Sequence, residues 1–80
     1  MSIFVGVTPQ EVAYIEVAVR EHLMNKGIDT SSYYIEARNV YLEDDGTITA
    51  SLRITVDGVQ IDRSTYMLRK EREDYFEVTE

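Results

Sequence analysis

The sequence predicts an α+β domain in which one N-terminal helix packs on an antiparallel β-meander of three to four strands. Three features carry this expectation. A helix-start string stands at Thr8–Glu11, the hydrophobic period changes to two over Ile48–Val56, and Asp57 and Gly58 sit between two valines as a hairpin turn. Eighty residues make a single domain over 1–80, because a chain this short cannot build two cores.

Ser2 to Val7 is a short apolar run with β-branched residues, read as a first strand or as an N-terminal arm. Thr8, Pro9 and Glu11 then supply a hydroxyl cap, a proline where a missing N–H costs nothing, and the reciprocal carboxylate of a capping box. Val12 to Lys26 is rich in valine and alternates locally, but Val12, Ile15, Val19 and Leu23 recur at spacings of three and four, which favours a helix. Gly27 is its left-handed stop, with Lys26 as a cation in the last turn.

After the polar loop Asp29–Ser32, Ile48, Ala50, Leu52, Ile54 and Val56 alternate with polar residues, so this strand has one dry and one wet face. The Asp57-Gly58 turn pairs Val56 with Val59 and Ile54 with Ile61. A three-residue loop over Asp44, Asp45 and Gly46 pairs Leu42 with Ile48 and Val40 with Ala50. Ile35 and Ala37 have the opposite parity to Val40 and Leu42, which predicts a β-bulge near Arg38 and Asn39. The third strand, Val59 to about Arg69, has a parity conflict. Val59 and Ile61 point inward, yet Arg63 and Thr65 follow on the same side before Met67, so the strand bends off the sheet or passes a partner chain. The acidic tail 71–80 is a fourth strand, a short helix or a loosely ordered end, in that order of preference.

Fifteen Asp and Glu against eight Lys and Arg give a net charge of −7. Such a chain is repelled by nucleic acid and by anionic membranes, and its natural partners are basic. No cysteine is present, which fits a reducing compartment. No apolar run approaches the ~18 residues needed to span a bilayer, and no signal-peptide pattern opens the chain. The expectation is a soluble, cytoplasmic protein.

Chemistry has little to stand on. The one histidine, His22, lacks a second His or a Cys for a zinc site and reads as a helix-surface or packing residue. Glu43–Ile48 resembles a calcium loop, but with Gly46 at the sixth position the first and twelfth ligands fall on Tyr41 and Leu52, so turn chemistry explains it better. No Gly-x-Ser-x-Gly frame surrounds a serine, and the four glycines form no phosphate cradle. We therefore expect no enzyme, no cofactor and no metal site.

Two surface features remain. On the wet face Tyr34, Arg53 and Tyr66 should cluster with Thr49, Ser51 and Thr55. Cross-strand pairs of this kind stabilise any sheet, and they also suit a self-association face. The carboxylates Glu43, Asp44, Asp45, Asp57, Asp62, Glu71, Glu73, Asp74 and Glu77 crowd the two turns and the tail. Charge runs usually only solvate a surface. Carboxylates two apart along a strand, however, stand ~6.6 Å from each other, comparable with phosphates on a nucleic-acid backbone.

On the Glu43–Asp45 turn and the acidic tail, with no cysteine and a wide acid excess, the chain resembles the small acidic proteins that bacteriophages make to disable host factors. Several of these imitate DNA. The resemblance rests on composition rather than on a family motif. It implies a non-enzymatic inhibitor, acting in the cytoplasm of a host bacterium, whose acids occupy the DNA-binding surface of a basic nucleic-acid-binding protein. The alternative is a small structural or oligomerisation module whose acids only confer solubility. A chain of this size with no disulfide gains burial most readily by homodimerisation.

Overall fold

The capping box at Thr8 is formed. Its hydroxyl accepts the Glu11 amide at 3.1 Å, and the Glu11 carboxylate accepts the Thr8 amide at 2.9 Å. From this cap, helix α1 runs over Pro9–Asn25 and stops at Lys26, followed by Gly27 at a φ of 87°. The computed structural model describes residues 2–79. Its remaining elements are β1 Ile3–Val5, β2 Tyr34–Leu42, β3 Thr47–Val56, β4 Val59–Arg72 and β5 Tyr75–Val78.

The five strands form one sheet in the order β1-β2-β3-β4-β5. The α+β class is as expected, but the sheet is mixed and has one strand more than anticipated. The N-terminal run is a strand rather than an arm, and it pairs parallel to β2, with Ile3 beside Asn39 and Val5 beside Tyr41. A strand that leaves through a helix and returns to its neighbour has crossed the sheet's length once, so the two run the same way. Gly6 makes the exit. It sits at a φ of 79°, and a Cβ there would lie 2.8 Å from that of Leu42, so both the backbone angle and the space require glycine.

The β2–β3 hairpin has the expected register, with Leu42 opposite Ile48 and Val40 opposite Ala50. The bulge stands where parity demanded it: Ala37 pairs with Leu52 and Asn39 with Ser51, leaving Arg38 unopposed. The β3–β4 hairpin does not keep its expected register. Val56 pairs with Val59, but Ile54 pairs with Asp62 rather than Ile61. A second bulge therefore falls at Ile61, which is 50% exposed, and Val59 is exposed as well. This resolves the parity conflict in β4. Beyond the bulge the even residues face the helix, so Tyr66 and Leu68 are buried and Met67 is not.

Tyr66 is thus the clearest misplacement in the sequence reading. It lies in the core at 6% exposure, not on the wet face. The tail is no loose end either: β4 continues to Arg72, and β5 returns antiparallel to it with Lys70 opposite Phe76. Glu80 lies outside the described residues.

One layer of helix covers one face of the sheet. Val12, Ile15, Val19 and Leu23 of α1 meet Val40, Leu52, Leu68 and Phe76 in a single cluster. Phe76 is 1% exposed, so the tail supplies one of the largest core side chains. Phe76→Ala should cost about 3–5 kcal/mol in a urea unfolding curve, the usual range for a buried phenylalanine. A dispensable tail would leave the midpoint unchanged.

Candidate functional site

The face of the sheet turned away from α1 has no covering element among the described residues. Strand parity assigns its side chains in rows that cross the strands. One row is largely apolar, Val5–Tyr41–Thr49–Met67, and the next is Ile3–Asn39–Ser51–Thr65, in which the Ser51 and Thr65 hydroxyls lie 3.3 Å apart. A charged row follows, Glu36–Arg53–Arg63, and then Tyr34–Thr55–Gln60. Arg69 lies opposite Thr47 and Glu77 on the other flank and donates to the Thr47 hydroxyl at 3.1 Å.

Of the expected self-association cluster, Tyr34 and Arg53 are on this face and Tyr66 is not. Tyr66 instead meets the ring of His22 edge-on, with centroids 6.1 Å apart at 79°, which is the packing role expected of the histidine. In its place the face presents Ile3, Val5, Tyr41, Met67 and Arg63. The signal for Met67 and Arg63 was the parity conflict in β4, since a bulge at Ile61 exchanges the two faces of everything after it.

The charged row is unevenly matched. Glu36 accepts from Arg53 at 3.0 Å and stands 3.8 Å from Arg38. Arg63 lies directly opposite Arg53, a like-charge pair, and among the described residues no carboxylate pairs with its guanidinium. With Arg38, Arg53, Arg63 and Arg69 against Glu36, Glu43 and Glu77, the face carries four positive charges and three negative. Its sum is +1, on a chain of −7.

The acids lie mainly at the ends of the strands. Glu43, Asp44 and Asp45 form the β2–β3 turn, and Glu71, Glu73 and Asp74 lie in or beside the β4–β5 turn at the same end. Asp57 and Asp62 belong to the opposite end, about 30 Å away along β3. The nine carboxylates therefore do not make one stripe, and no strand carries Glu71, Glu73 and Glu77 in a row. Several serve the turns themselves. The Thr47 amide donates to Asp45 at 2.9 Å and holds that carboxyl below its usual range, while Asp62 accepts from the Arg63 amide and the Ser64 hydroxyl. Asp57 takes the left-handed turn position at a φ of 52°. Lys70 reaches Glu11 at 2.8 Å and Glu73 at 3.8 Å, which ties the helix start to the acidic end.

Among the described residues, no group of three or more His, Asp or Glu side chains is placed to hold a metal ion. No helix among them is long and apolar enough to cross a membrane.

At the other side of α1, Glu16 accepts the Ala37 amide at 2.9 Å, and Arg20 donates to the carbonyls of Thr30 and Tyr33. Partial burial pushes the Glu16 carboxyl above its usual range, the Ala37 amide draws it back, and the nearby Glu36 raises it further. A carboxyl raised in the folded state contributes its stability below the ordinary carboxylate range, and that contribution is lost as pH rises through the folded value. Glu16→Gln keeps an oxygen for the Ala37 amide and removes the half-buried charge. It should match or exceed the wild type in urea unfolding at neutral pH, and the difference should vanish in acid. Loss of stability at neutral pH would contradict this account of Glu16.

No protein-family model, curated protein or solved structure matches the chain.

Proposed function

We propose that this chain is a non-enzymatic interaction module that works through the uncovered face of its sheet. The observation that carries the reading is the composition of that face. Tyr41, Met67, Val5 and Ile3 place apolar and aromatic surface beside Arg53, Arg63 and Tyr34, the residue types favoured where an interface must be both dry and hydrogen-bonded. A five-stranded sheet with helix on one side only leaves its second face either wet or waiting for a partner. Here the row of Val5, Tyr41, Thr49 and Met67, with Ile3 next to it, is too apolar to be explained by solvation alone.

The chain contains an internal control. Met67 on the open face and Met24 on the helix are similarly exposed in the isolated chain, at 48% and 55%. In lysate of cells making the full chain, peroxide should oxidise Met24 several times faster than Met67, relative to the urea-unfolded chain. Equal rates would mean that nothing covers the face and would overturn the reading.

A second reading is supported by the acidic end. Glu43, Asp44, Asp45, Glu71, Glu73 and Asp74 lie at one end of neighbouring strands, where they suit a basic groove such as the DNA-binding surface of a basic protein. Binding of this kind would weaken steeply between 50 and 200 mM salt and be competed by duplex DNA, roughly as phosphate contacts do. Replacing Asp44, Glu73 and Asp74 by their amides should then weaken it strongly, whereas the sheet-face reading expects no effect from those changes.

A further inference from the structure

We infer that the open face is covered by a second copy of this chain, docked about a two-fold axis along β3 so that Glu36 of each copy meets Arg63 of the other. This rests on the sheet-face reading above and names the occupant. The reason lies in how charge is distributed about the central strand. On the open face β2 contributes Glu36, with Glu43 opposite Thr47 at the strand's end, whereas β4 contributes Arg63 and Arg69. Glu36 and Glu43 with Arg38 thus stand on the β2 side of β3, and Arg63 and Arg69 with Glu77 beyond them on the β4 side, so acid leads on one side and base on the other.

A two-fold rotation about an axis parallel to β3 leaves each row level with itself and lays β2 of one copy over β4 of the other. Glu36 then faces Arg63, Glu43 faces Arg69, Asn39 faces Thr65 and Tyr41 faces Met67, and every pair occurs twice, as an isologous contact requires. The unmatched Arg63 acquires a carboxylate. Thr49, Ser51 and Thr55 meet their own counterparts. Arg53 also meets itself, and the Glu36 oxygen 3.0 Å from it is shared between Arg53 and Arg63 of the other copy. An axis running across the strands fits worse, because it sets the row of Glu36, Arg53 and Arg63 over the row of Tyr41, Thr49 and Met67 and so desolvates charge against apolar surface. Size agrees too. Strands of 3, 9, 10, 14 and 4 residues, at ~3.3 Å per residue and ~4.8 Å apart, offer at most roughly 630 Å² per copy, at the small end of standard interfaces.

The test is a charge swap read by mass. The purified full chain should sediment at twice its 9.2 kDa. Arg63→Glu should weaken dimerisation by roughly ten- to a hundredfold, since it sets Glu36 against a new glutamate across the interface. Within one copy the same change places Glu beside Arg53, so the fold is not put at risk, and circular dichroism should be unchanged. The double variant Glu36→Arg with Arg63→Glu restores opposite charges and should recover the dimer. A wild-type chain that stays at 9.2 kDa up to millimolar concentration, an Arg63→Glu chain that keeps the double mass, or a double variant that stays monomeric would each overturn the inference. Methionine oxidation separates this failure from failure of the parent reading. A monomeric chain whose Met67 is protected only in lysate has some other chain on that face. One whose Met67 is never protected has none.

Discussion

The sheet depends on a single unpaired residue, Ile61, near the start of β4. Strand side chains alternate, so whichever residues of a long strand face the helix are fixed by the parity at its start unless something interrupts the ladder. The β3–β4 turn sets that parity with Val59, and carried forward unbroken it would bury Arg63, Thr65, Met67 and Arg69 against the helix. Ile61 absorbs one position, and the remainder of β4 turns over. Tyr66 and Leu68 enter the core, and Arg63 and Met67 go outside. The core contacts of Phe76 follow, because β5 takes its register from the part of β4 that lies beyond the bulge.

The second constraint is that one helix has to serve five strands. Its buried stripe meets the centre and one flank of the sheet, and the opposite face is left to side chains that tolerate both water and contact. Sorting of charge follows from the same geometry. Carboxylates suit turns, where Asp45 and Asp57 hold positions that few other residues tolerate, and a sheet bounded by turns therefore concentrates acid at its ends. Arginine, with a long apolar stem and a planar head, can lie along the open face without leaving that surface bare. A strongly acidic chain thereby presents a sheet face of the opposite sign.

Much of this was legible because the signals were local. The capping box names its own partners, Asp57-Gly58 fits few structures other than a tight turn, and the Arg38 bulge follows from two apolar pairs on conflicting parities with both hairpin ends known. The Ile61 bulge left the same trace, since Arg63 and Thr65 follow Val59 and Ile61 on one side, but nothing local says which residue is left out of the ladder, and only packing against α1 decides between an isoleucine and a tyrosine. The direction of β1 was beyond reach, since three residues between a terminus and a helix carry no information about which neighbour they join. The acidic surface failed as a continuous stripe for a related reason. Nearness in sequence groups Asp57 with Asp62 and Glu43 with Asp45, while the strands between them hold the two groups at opposite ends.

The brevity of β1 has a consequence for the chain as a sheet protein. Its three residues reach only Asn39 to Tyr41 of β2, so among the described residues the first half of β2 has no strand on its outer side. Such a stretch is a template on which another chain can add, and the route by which many sheets begin to aggregate. Side chains of α1 stand in for the missing strand. Glu16 takes up the amide of Ala37, and Arg20 occupies the carbonyls of Thr30 and Tyr33 in the loop that leads into β2. The helix that fills the core therefore also acts as a gatekeeper for the exposed backbone of β2, blocking with two charged residues a position where an incoming strand would have to displace both.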